Sequence, residues 1–163
     1  MATECKEFHP YPYQQFCIQH IIDHPVAGLF VDMGMGKTVM TLTAFNYLKY
    51  YAWQIQRCLV IAPKKVAEAT WRTEISGWQH LRHLRCSEVL GTATQRRAAM
   101  AVDADVYVTN RDNVQWLVKE YGKAWPFDMV VLDESSSFKN HQAKRFKALR
   151  AMRPKIKRIV ELT

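Results

Sequence analysis

The chain has 163 residues, of which 48% are hydrophobic, and a formal net charge of +8. This size supports one domain with a hydrophobic core and is too small for two ordinary domains. The apolar runs, such as residues 26–31, are far shorter than the roughly 20 residues of a transmembrane helix. Cys5, Cys17, Cys58 and Cys86 show no paired spacing, and no segment resembles a signal peptide. We therefore expect a cytoplasmic, monomeric domain with no membrane partner.

Apolar segments rich in β-branched residues alternate with helical patterns along the whole chain. The predicted strands cover residues 26–31, 58–62, 84–90, 105–109, 128–133 and 157–163. The predicted helices cover residues 13–22, 37–51, 66–78, 94–101, 113–121 and 142–152. This alternation indicates a three-layer α/β fold with a mainly parallel sheet and helices on both faces. Nothing marks a second domain, so residues 1–163 are expected to form one.

A glycine-bearing segment, FVDMGMGKTVM, connects the first predicted strand to the second predicted helix. Gly34 and Gly36 allow the backbone to curl so that N–H groups face phosphate oxygens, and the next helix adds its positive N-terminal end. Lys37 would contact the β- and γ-phosphates, and Thr38 would offer its hydroxyl to Mg²⁺. The usual loop has a further glycine where this chain has Val31. A plain turn with an incidental lysine is the alternative, but the strand-loop-helix setting favours a nucleotide site.

A hydrophobic strand that ends in two carboxylates follows about a hundred residues later. Residues 128–134, DMVVLDE, carry the chain through the core and deliver Asp133 at the strand end. Asp133 can hold Mg²⁺ through water, and Glu134 can orient and deprotonate an attacking water. An acidic pair alone is also common where a loop or helix begins. Together with the loop, it predicts an ATPase site with Lys37, Asp133 and Glu134 as catalytic residues.

The positive charge is concentrated late in the chain, where residues 135–160 contain nine basic residues and no acidic one. The nine are Lys139, Lys144, Arg145, Lys147, Arg150, Arg153, Lys155, Lys157 and Arg158. Such a block can bind nucleic-acid phosphates, although a charge run more often forms a solvated face. Both readings stay open from charge alone.

These motifs, in this order, resemble the first RecA-like lobe of superfamily 2 helicases, and among them the Snf-type DNA translocases, including phage-encoded forms. The resemblance covers nearly the whole chain. Residues 32–38, DMGMGKT, are similar to the family loop D-E-M-G-x-G-K-T, which also lacks the first glycine, so Val31 agrees with it. The resemblance implies that ATP and Mg²⁺ are the cofactors, with Mg²⁺ on Thr38 and Asp133. The residues implied to hold ATP are Gln14, Met33, Gly34, Met35, Gly36, Lys37, Thr38 and Val39.

Two further matches concern the adenine of the nucleotide and the nucleic acid. The Tyr13-Gln14 pair is similar to the family's Tyr-Gln, whose glutamine amide reads the edge of adenine. Residues 60–65, VIAPKK, resemble the motif after the second strand, which implies that Lys64 and Lys65 contact a nucleic-acid backbone. Trp71 and Trp78, which follow on the same predicted helix, are expected to be core residues rather than stacking platforms.

The next matches are less regular. Residues 108–113, VTNRDN, resemble a motif that implies nucleic-acid contacts from Thr109, Asn110 and Arg111, although Arg111 stands where the family has an aromatic residue. The acidic motif reads DESS where the family more often has D-E-A-H, so the coupling role of that histidine would fall to Ser136 or be lost. Lys139 lies in FKN, which is similar to the Lys-Asn that follows in the family, and is another implied nucleic-acid contact.

Leu162 and Thr163 resemble the start of the family motif L-T-G-T-P, and the sequence stops there. We therefore expect one lobe of a larger ATP-dependent DNA helicase or translocase, located in the cytosol of a bacterium or a phage-infected host. A second RecA-like lobe in cis and double-stranded DNA are the expected partners, and this chain alone should hydrolyse ATP negligibly. The alternatives are a P-loop ATPase that acts on protein and a non-catalytic nucleotide- or nucleic-acid-binding module.

Overall fold

A computed structural model describes residues 4–135 and 144–163 of the chain. The strands are β1 (Val26–Leu29), β2 (Cys58–Ala62), β3 (Cys86–Glu88), β4 (Val106–Asn110), β5 (Met129–Leu132) and β6 (Arg158–Leu162). The α-helices are α1 (Pro12–Asp23), α2 (Lys37–Asn46), α3 (Lys64–Gly77), α4 (Ala93–Ala101), α5 (Val114–Tyr121) and α6 (Lys144–Ala151). The strands form one parallel sheet in the order β1-β6-β5-β2-β4-β3. This architecture confirms the predicted α/β fold.

The element boundaries differ from the predicted ones in ways that have local causes. Strand β1 ends at Leu29, two residues early, because the exposed Phe30 leaves the sheet to enter the glycine-bearing loop. Helix α2 ends at Asn46 and continues as the π-helical turn Tyr47–Tyr51. Helix α3 begins two residues earlier than predicted, directly after Pro63. In the two described ranges, every helix is too short or too polar to cross a membrane.

The sheet is buried between two hydrophobic layers. Strand β2 is buried at every position, with alternate residues such as Val60 and Ile61 contributing to opposite layers. Residues of α1, α2 and α3 build one layer, around Trp71. Residues of α5 and α6 build the other, where Leu117 and Phe127 are fully buried. The helices on both faces agree with the prediction, as does the core position of Trp71.

The strand order determines where the loops meet. Because all six strands are parallel, their carboxyl ends lie along one edge of the sheet. Strand β6 lies between β1 and β5, so the carboxyl ends of these three strands are neighbours at this edge. The glycine-bearing loop follows β1, Thr163 follows β6 and Asp133 follows β5. Lys64 follows β2 and Arg111 follows β4 at the same edge, so the segments that contain these residues lie on one side of the sheet.

The opposite edge of the sheet contains a buried carboxylate that the sequence did not reveal. Asp105, just before β4, is fully buried and accepts hydrogen bonds from Lys49 Nζ (2.5 Å), Tyr50 Oη (2.7 Å) and the Arg85 N–H (2.7 Å). Burial by itself would raise the pKa of Asp105, but the three donors outweigh burial and hold the pKa below its ordinary value. Burial and the bond to Asp105 raise the pKa of Tyr50 to about 12. The carboxylate therefore ties three segments together.

We expect Asp105→Asn to lower the free energy of unfolding by about 3 kcal/mol, because it leaves the Lys49 ammonium without its buried counter-charge. The measurement is urea denaturation at neutral pH. Since the folded-state pKa of Asp105 is lowered, its contribution is complete above the unfolded-state pKa and is lost as the pH falls through the folded-state pKa. The difference between wild type and Asp105→Asn should therefore shrink in acid.

Asp103→Asn is the matched control, because Asp103 is a nearby carboxylate whose side chain is 71% exposed and whose pairs with Arg57 and Arg85 are long. It should cost less than about 1 kcal/mol. Equal stability losses for the two variants would contradict the role given to Asp105.

Candidate active site

The glycine-bearing loop after β1 has a backbone path that requires its two glycines. Gly34 and Gly36 have φ angles of +78° and +85°, a region that residues with a side chain rarely adopt. A Cβ atom at Gly36 would also lie 2.7 Å from Gln14 Nε2. Val31, which replaces the usual first glycine, packs against the core layer of α1 to α3. The missing glycine therefore lies outside the part of the loop that must curl.

Helix α2 begins directly from this loop and presents unpaired backbone donors. Its first helical hydrogen bond runs from the Met40 N–H to the Gly36 carbonyl (3.0 Å). The N–H groups of Lys37, Thr38 and Val39 therefore have no acceptor within the helix, and the helix dipole adds positive potential at the same point. A phosphate group fits this arrangement. The side chain of Val39 is buried in the core, so its N–H is the group left to contact a nucleotide.

Helix α1 contacts the loop from the other side. Tyr13 Oη donates to the Met35 carbonyl (3.0 Å), and Gln14 Nε2 lies 3.4 Å from the same oxygen. Gln14 Oε1 accepts from the Tyr11 N–H (2.9 Å) at the start of α1. Gln14, predicted to contact adenine, thus holds the loop in this structure. The loop contact of Tyr13 was not predicted. Met33, at the loop's tip, is almost fully exposed.

Asp133 follows β5 and is held by a tryptophan from the neighbouring helix α3. Trp71 Nε1 donates to Asp133 Oδ2 (3.1 Å). Burial raises the pKa of Asp133 above its ordinary value, and the charge of Glu134 adds to that rise. The Trp71 N–H and the positive charge of Lys37 act in the opposite direction. The loop lysine is therefore close enough for its charge to act on the carboxylate.

Glu134 adopts an unusual backbone conformation beside an arginine. Its φ angle is +53°, and its side chain is 62% exposed. Arg111 Nη2 lies 3.4 Å from the Asp133 carbonyl, 3.3 Å from the Glu134 carbonyl and 3.7 Å from Glu134 Oε2. The sequence predicted Arg111 only as a nucleic-acid contact. Its position against the acidic pair was missed because β4 and β5 are separated by β2 in the sheet.

The residue after the acidic pair connects β5 to β6. The Oγ atoms of Ser135 and Thr163 are 2.6 Å apart, and Ser135 is buried. The sequence left the coupling role of the family's histidine to Ser136 or to no residue. Ser136 lies outside the described residues, and the neighbouring Ser135 makes the contact. Lys139, a predicted nucleic-acid contact, also lies outside the described residues.

The remaining predicted nucleic-acid contacts fall into two groups. Lys64 and Lys65 are exposed in the first turn of α3. Thr109 is fully buried, and its hydroxyl donates to the Val89 carbonyl (2.8 Å), so a contact from its side chain to nucleic acid is not supported. Asn110 Oδ1 accepts from the backbone N–H three residues later (3.1 Å), which caps the turn after β4. Of the predicted contacts discussed in this paragraph, Lys64 and Lys65 are the ones that expose a charge at this edge.

The late basic block is partly used by the fold. Lys155 Nζ donates to the carbonyls of Gly122 (2.6 Å) and Lys123 (3.1 Å). Arg158 is 9% exposed and donates to the Ile21 carbonyl (2.8 Å). Both basic residues lie at the amino end of β6, on the edge of the sheet opposite the loop. Arg158 is therefore part of the fold, whereas Lys155 stays exposed, and neither residue is a neighbour of the candidate site.

The class of protein follows from these features. A phosphate loop after β1, an acidic pair after β5 and a parallel sheet in which β6 separates the two strands define a P-loop domain of the RecA-like type. Residues 13–161 match the model of the SNF2-related domain. The chain belongs to this family, and this agrees with the resemblance seen in its motifs.

The chain is also similar to individual proteins and to a solved structure. The chain is 38% identical over 141 residues to protein p41 of Acyrthosiphon pisum secondary endosymbiont phage 1, covering 86% of this chain and 31% of that protein. It is 25% identical over 150 residues to the ISWI chromatin-remodeling complex ATPase ISW1 of Saccharomyces cerevisiae, covering 85% of this chain and 13% of that protein. The Sulfolobus solfataricus SWI2/SNF2 ATPase core in complex with dsDNA superposes with a TM-score of 0.75 at 27% identity, covering 93% of this chain and 31% of that one. The chain thus spans a third or less of each.

Proposed function

We propose that the chain is the ATP-binding lobe of an ATP-dependent DNA translocase. The observation that carries this proposal is the meeting of the loop at Gly34 to Thr38 with Asp133 and Glu134 on one edge of the sheet. In that arrangement the charge of Lys37 acts on Asp133. Membership of the SNF2-related family supports the same function.

The loop residues fit a nucleotide and a magnesium ion. The unpaired N–H groups of Lys37, Thr38 and Val39 would hold phosphate oxygens, and the Lys37 ammonium would neutralise the β- and γ-phosphates. Mg²⁺ prefers oxygen ligands, and it would take the Thr38 hydroxyl and, through water, the Asp133 carboxylate. Gln14 would contact adenine after its amide releases the loop.

Hydrolysis would use the second carboxylate. Glu134 is exposed at the strand end, where it would accept the proton of an attacking water. Charge that develops on the transferred phosphoryl group would be stabilised by an arginine from a second lobe, a contribution of about 10³ to 10⁵ in rate for such arginines. Ser135 and Thr163 would transmit the state of the acidic motif to the end of β6.

The polymer would bind along the same edge of the sheet. Two lysines in the first turn of a helix lie unfavourably with respect to its dipole, and a bound phosphate removes this conflict. Lys64 and Lys65 therefore suit a nucleic-acid backbone. The archaeal SWI2/SNF2 core was solved with dsDNA, which favours duplex DNA as the polymer here.

Two other functions compete with this proposal. A P-loop ATPase that acts on protein would need no lysine pair beside the site, and its turnover would not respond to DNA. A non-catalytic module would not need both Asp133 and Glu134. The tests below separate these functions because they measure nucleotide binding, turnover and DNA binding independently.

Lys37→Ala should abolish Mg-ATP binding, measured by isothermal titration calorimetry, because it removes the charge that neutralises the phosphates. Lys119→Ala, which removes an exposed lysine from α5, is the control and should bind like the wild type. The thermal unfolding midpoint should change little in both, since neither side chain belongs to the core. Unchanged affinity in Lys37→Ala would refute the phosphate-loop assignment.

Glu134→Gln in the full-length protein should keep ATP binding and lower the steady-state rate of phosphate release by about 10² to 10⁴, because an amide does not accept the proton from water. Glu120→Gln, at a glutamate that pairs with Arg97 on the surface, should hydrolyse ATP like the wild type. A wild-type rate in Glu134→Gln would assign the base to another residue.

DNA binding should weaken more when Lys64 and Lys65 are both changed to Glu than when Lys155 and Lys157 are, although both variants change the net charge equally. The readout is fluorescence anisotropy of a labelled duplex across a salt series, and the Lys64/Lys65 variant should show a shallower salt dependence. The reverse ranking would move the DNA surface to the late basic block. Circular dichroism must show that both variants fold, since Lys155 also bonds two carbonyls.

A further inference from the structure

Arg111 connects the predicted nucleic-acid surface to the candidate catalytic carboxylate. It stands just after β4, and its guanidinium reaches two strands across the sheet to the acidic motif. One atom, Nη2, contacts the Asp133 carbonyl, the Glu134 carbonyl and the Glu134 carboxylate at 3.3 to 3.7 Å. An aromatic residue, which the resemblance gives at this position, has no such charge. The contact joins the turn after β4 to the acidic motif after β5.

Arg111 contacts the turn at which Glu134 adopts a backbone conformation that is intrinsically unfavourable. Residues with a side chain rarely adopt a φ angle of +53°, and such conformations persist where surrounding contacts enforce them. Arg111 binds both carbonyls that flank this turn as well as the carboxylate. While its carboxylate stays at Arg111, Glu134 must leave this arginine before it can act elsewhere.

The other side of Arg111 opens to solvent through a basic cleft. A cavity of about 200 Å³ is lined by Arg111, Asp112, Gln115, Lys144 and Arg145 among the described residues. Arg145 Nη1 lies 3.8 Å from Asp112 Oδ1, so the single acid is already partly compensated. Three basic side chains against one acidic side chain make the cleft attractive to a phosphate group. The cleft lies on the same edge of the sheet as Lys64.

We propose that a backbone phosphate of nucleic acid enters this cleft, competes for Arg111 and thereby releases Glu134 for catalysis. This inference rests on the proposed function. Arginine binds phosphate through paired, charge-assisted hydrogen bonds of about 2.7 to 2.9 Å. The present contacts of 3.3 to 3.7 Å are long by comparison and are readily exchanged. Without nucleic acid, the arginine restrains ATP hydrolysis; with it, the restraint is removed.

The test compares ATP hydrolysis by the full-length protein with and without duplex DNA at saturating Mg-ATP. Arg111→Gln should raise the DNA-free rate about two- to five-fold, the range expected for loss of a partly exposed ion pair. The ratio of the DNA-stimulated rate to the DNA-free rate should fall accordingly. Arg111→Lys keeps the charge but loses the guanidinium, whose Nη2 contacts two carbonyls. Its DNA-free rate should lie above that of the wild type and below that of Arg111→Gln, which provides a second test if Arg111→Gln does not fold.

Two further variants and one control ligand complete the design. Lys144→Gln should raise the DNA concentration needed for half-maximal stimulation, because it removes a charge from the cleft. Arg97→Gln removes another arginine that pairs with a glutamate, Glu120 at 3.2 Å, and should leave both rates unchanged. Inorganic phosphate at the same phosphate concentration should not replace DNA. Stimulation by inorganic phosphate alone would identify the ligand as a free anion and contradict the proposal.

The outcomes separate this inference from the proposed function. If the wild-type protein does not hydrolyse ATP, or if DNA does not stimulate it, the proposed function fails. If DNA stimulates the wild type while Arg111→Gln and Arg111→Lys keep the wild-type DNA-free rate, only the restraint by Arg111 is refuted. A lower DNA-free rate in folded Arg111→Gln would also refute it, because Arg111 would then assist Glu134.

Discussion

The parallel alignment of β1, β6 and β5 is the constraint on which the candidate site depends. It brings the phosphate loop, Thr163 and the acidic pair to adjacent positions although about a hundred residues separate the loop from Asp133. The strands are buried on both faces, so a shift in their register would expose core side chains. Burial of apolar side chains in the core therefore supplies the free energy that keeps the carboxylates in front of the loop.

Individual residues then fix the positions of the loop and of Asp133 more closely than the sheet alone does. The loop is fixed between two glycines with positive φ angles and the pair of α1 side chains that reach the Met35 carbonyl. Asp133 is fixed by Trp71, whose ring lies in the core while its N–H faces the site. A change that disturbs the core layer around Trp71 would therefore also move the carboxylate for which we propose Mg²⁺ binding.

The sequence allowed the fold to be predicted and indicated the centre of the candidate site, because both leave periodic or contiguous signals. Alternating apolar segments revealed every strand, and the loop and the acidic pair are each local motifs. Contacts between segments left no such signal. The Trp71 bond to Asp133 could have been suspected, since a buried indole N–H needs an acceptor. The Ser135 contact with Thr163, the position of Arg111 and the network of Asp105 depend on strand order, which periodicity does not reveal.

The acidic motif is where these long-range contacts converge, and each comes from a different strand connection. Trp71 reaches it from the helix after β2, Arg111 from the turn after β4, and Thr163 from the end of β6. The motif therefore contacts three parts of the sheet edge. The part with Thr163 is next to the phosphate loop, and the parts with Trp71 and Arg111 are on the side where Lys64 lies. Nucleotide and nucleic acid, if both bind this edge, must act on the same few atoms around Glu134. Coupling between them then needs no long pathway, only exchange of the polar contacts that those atoms make.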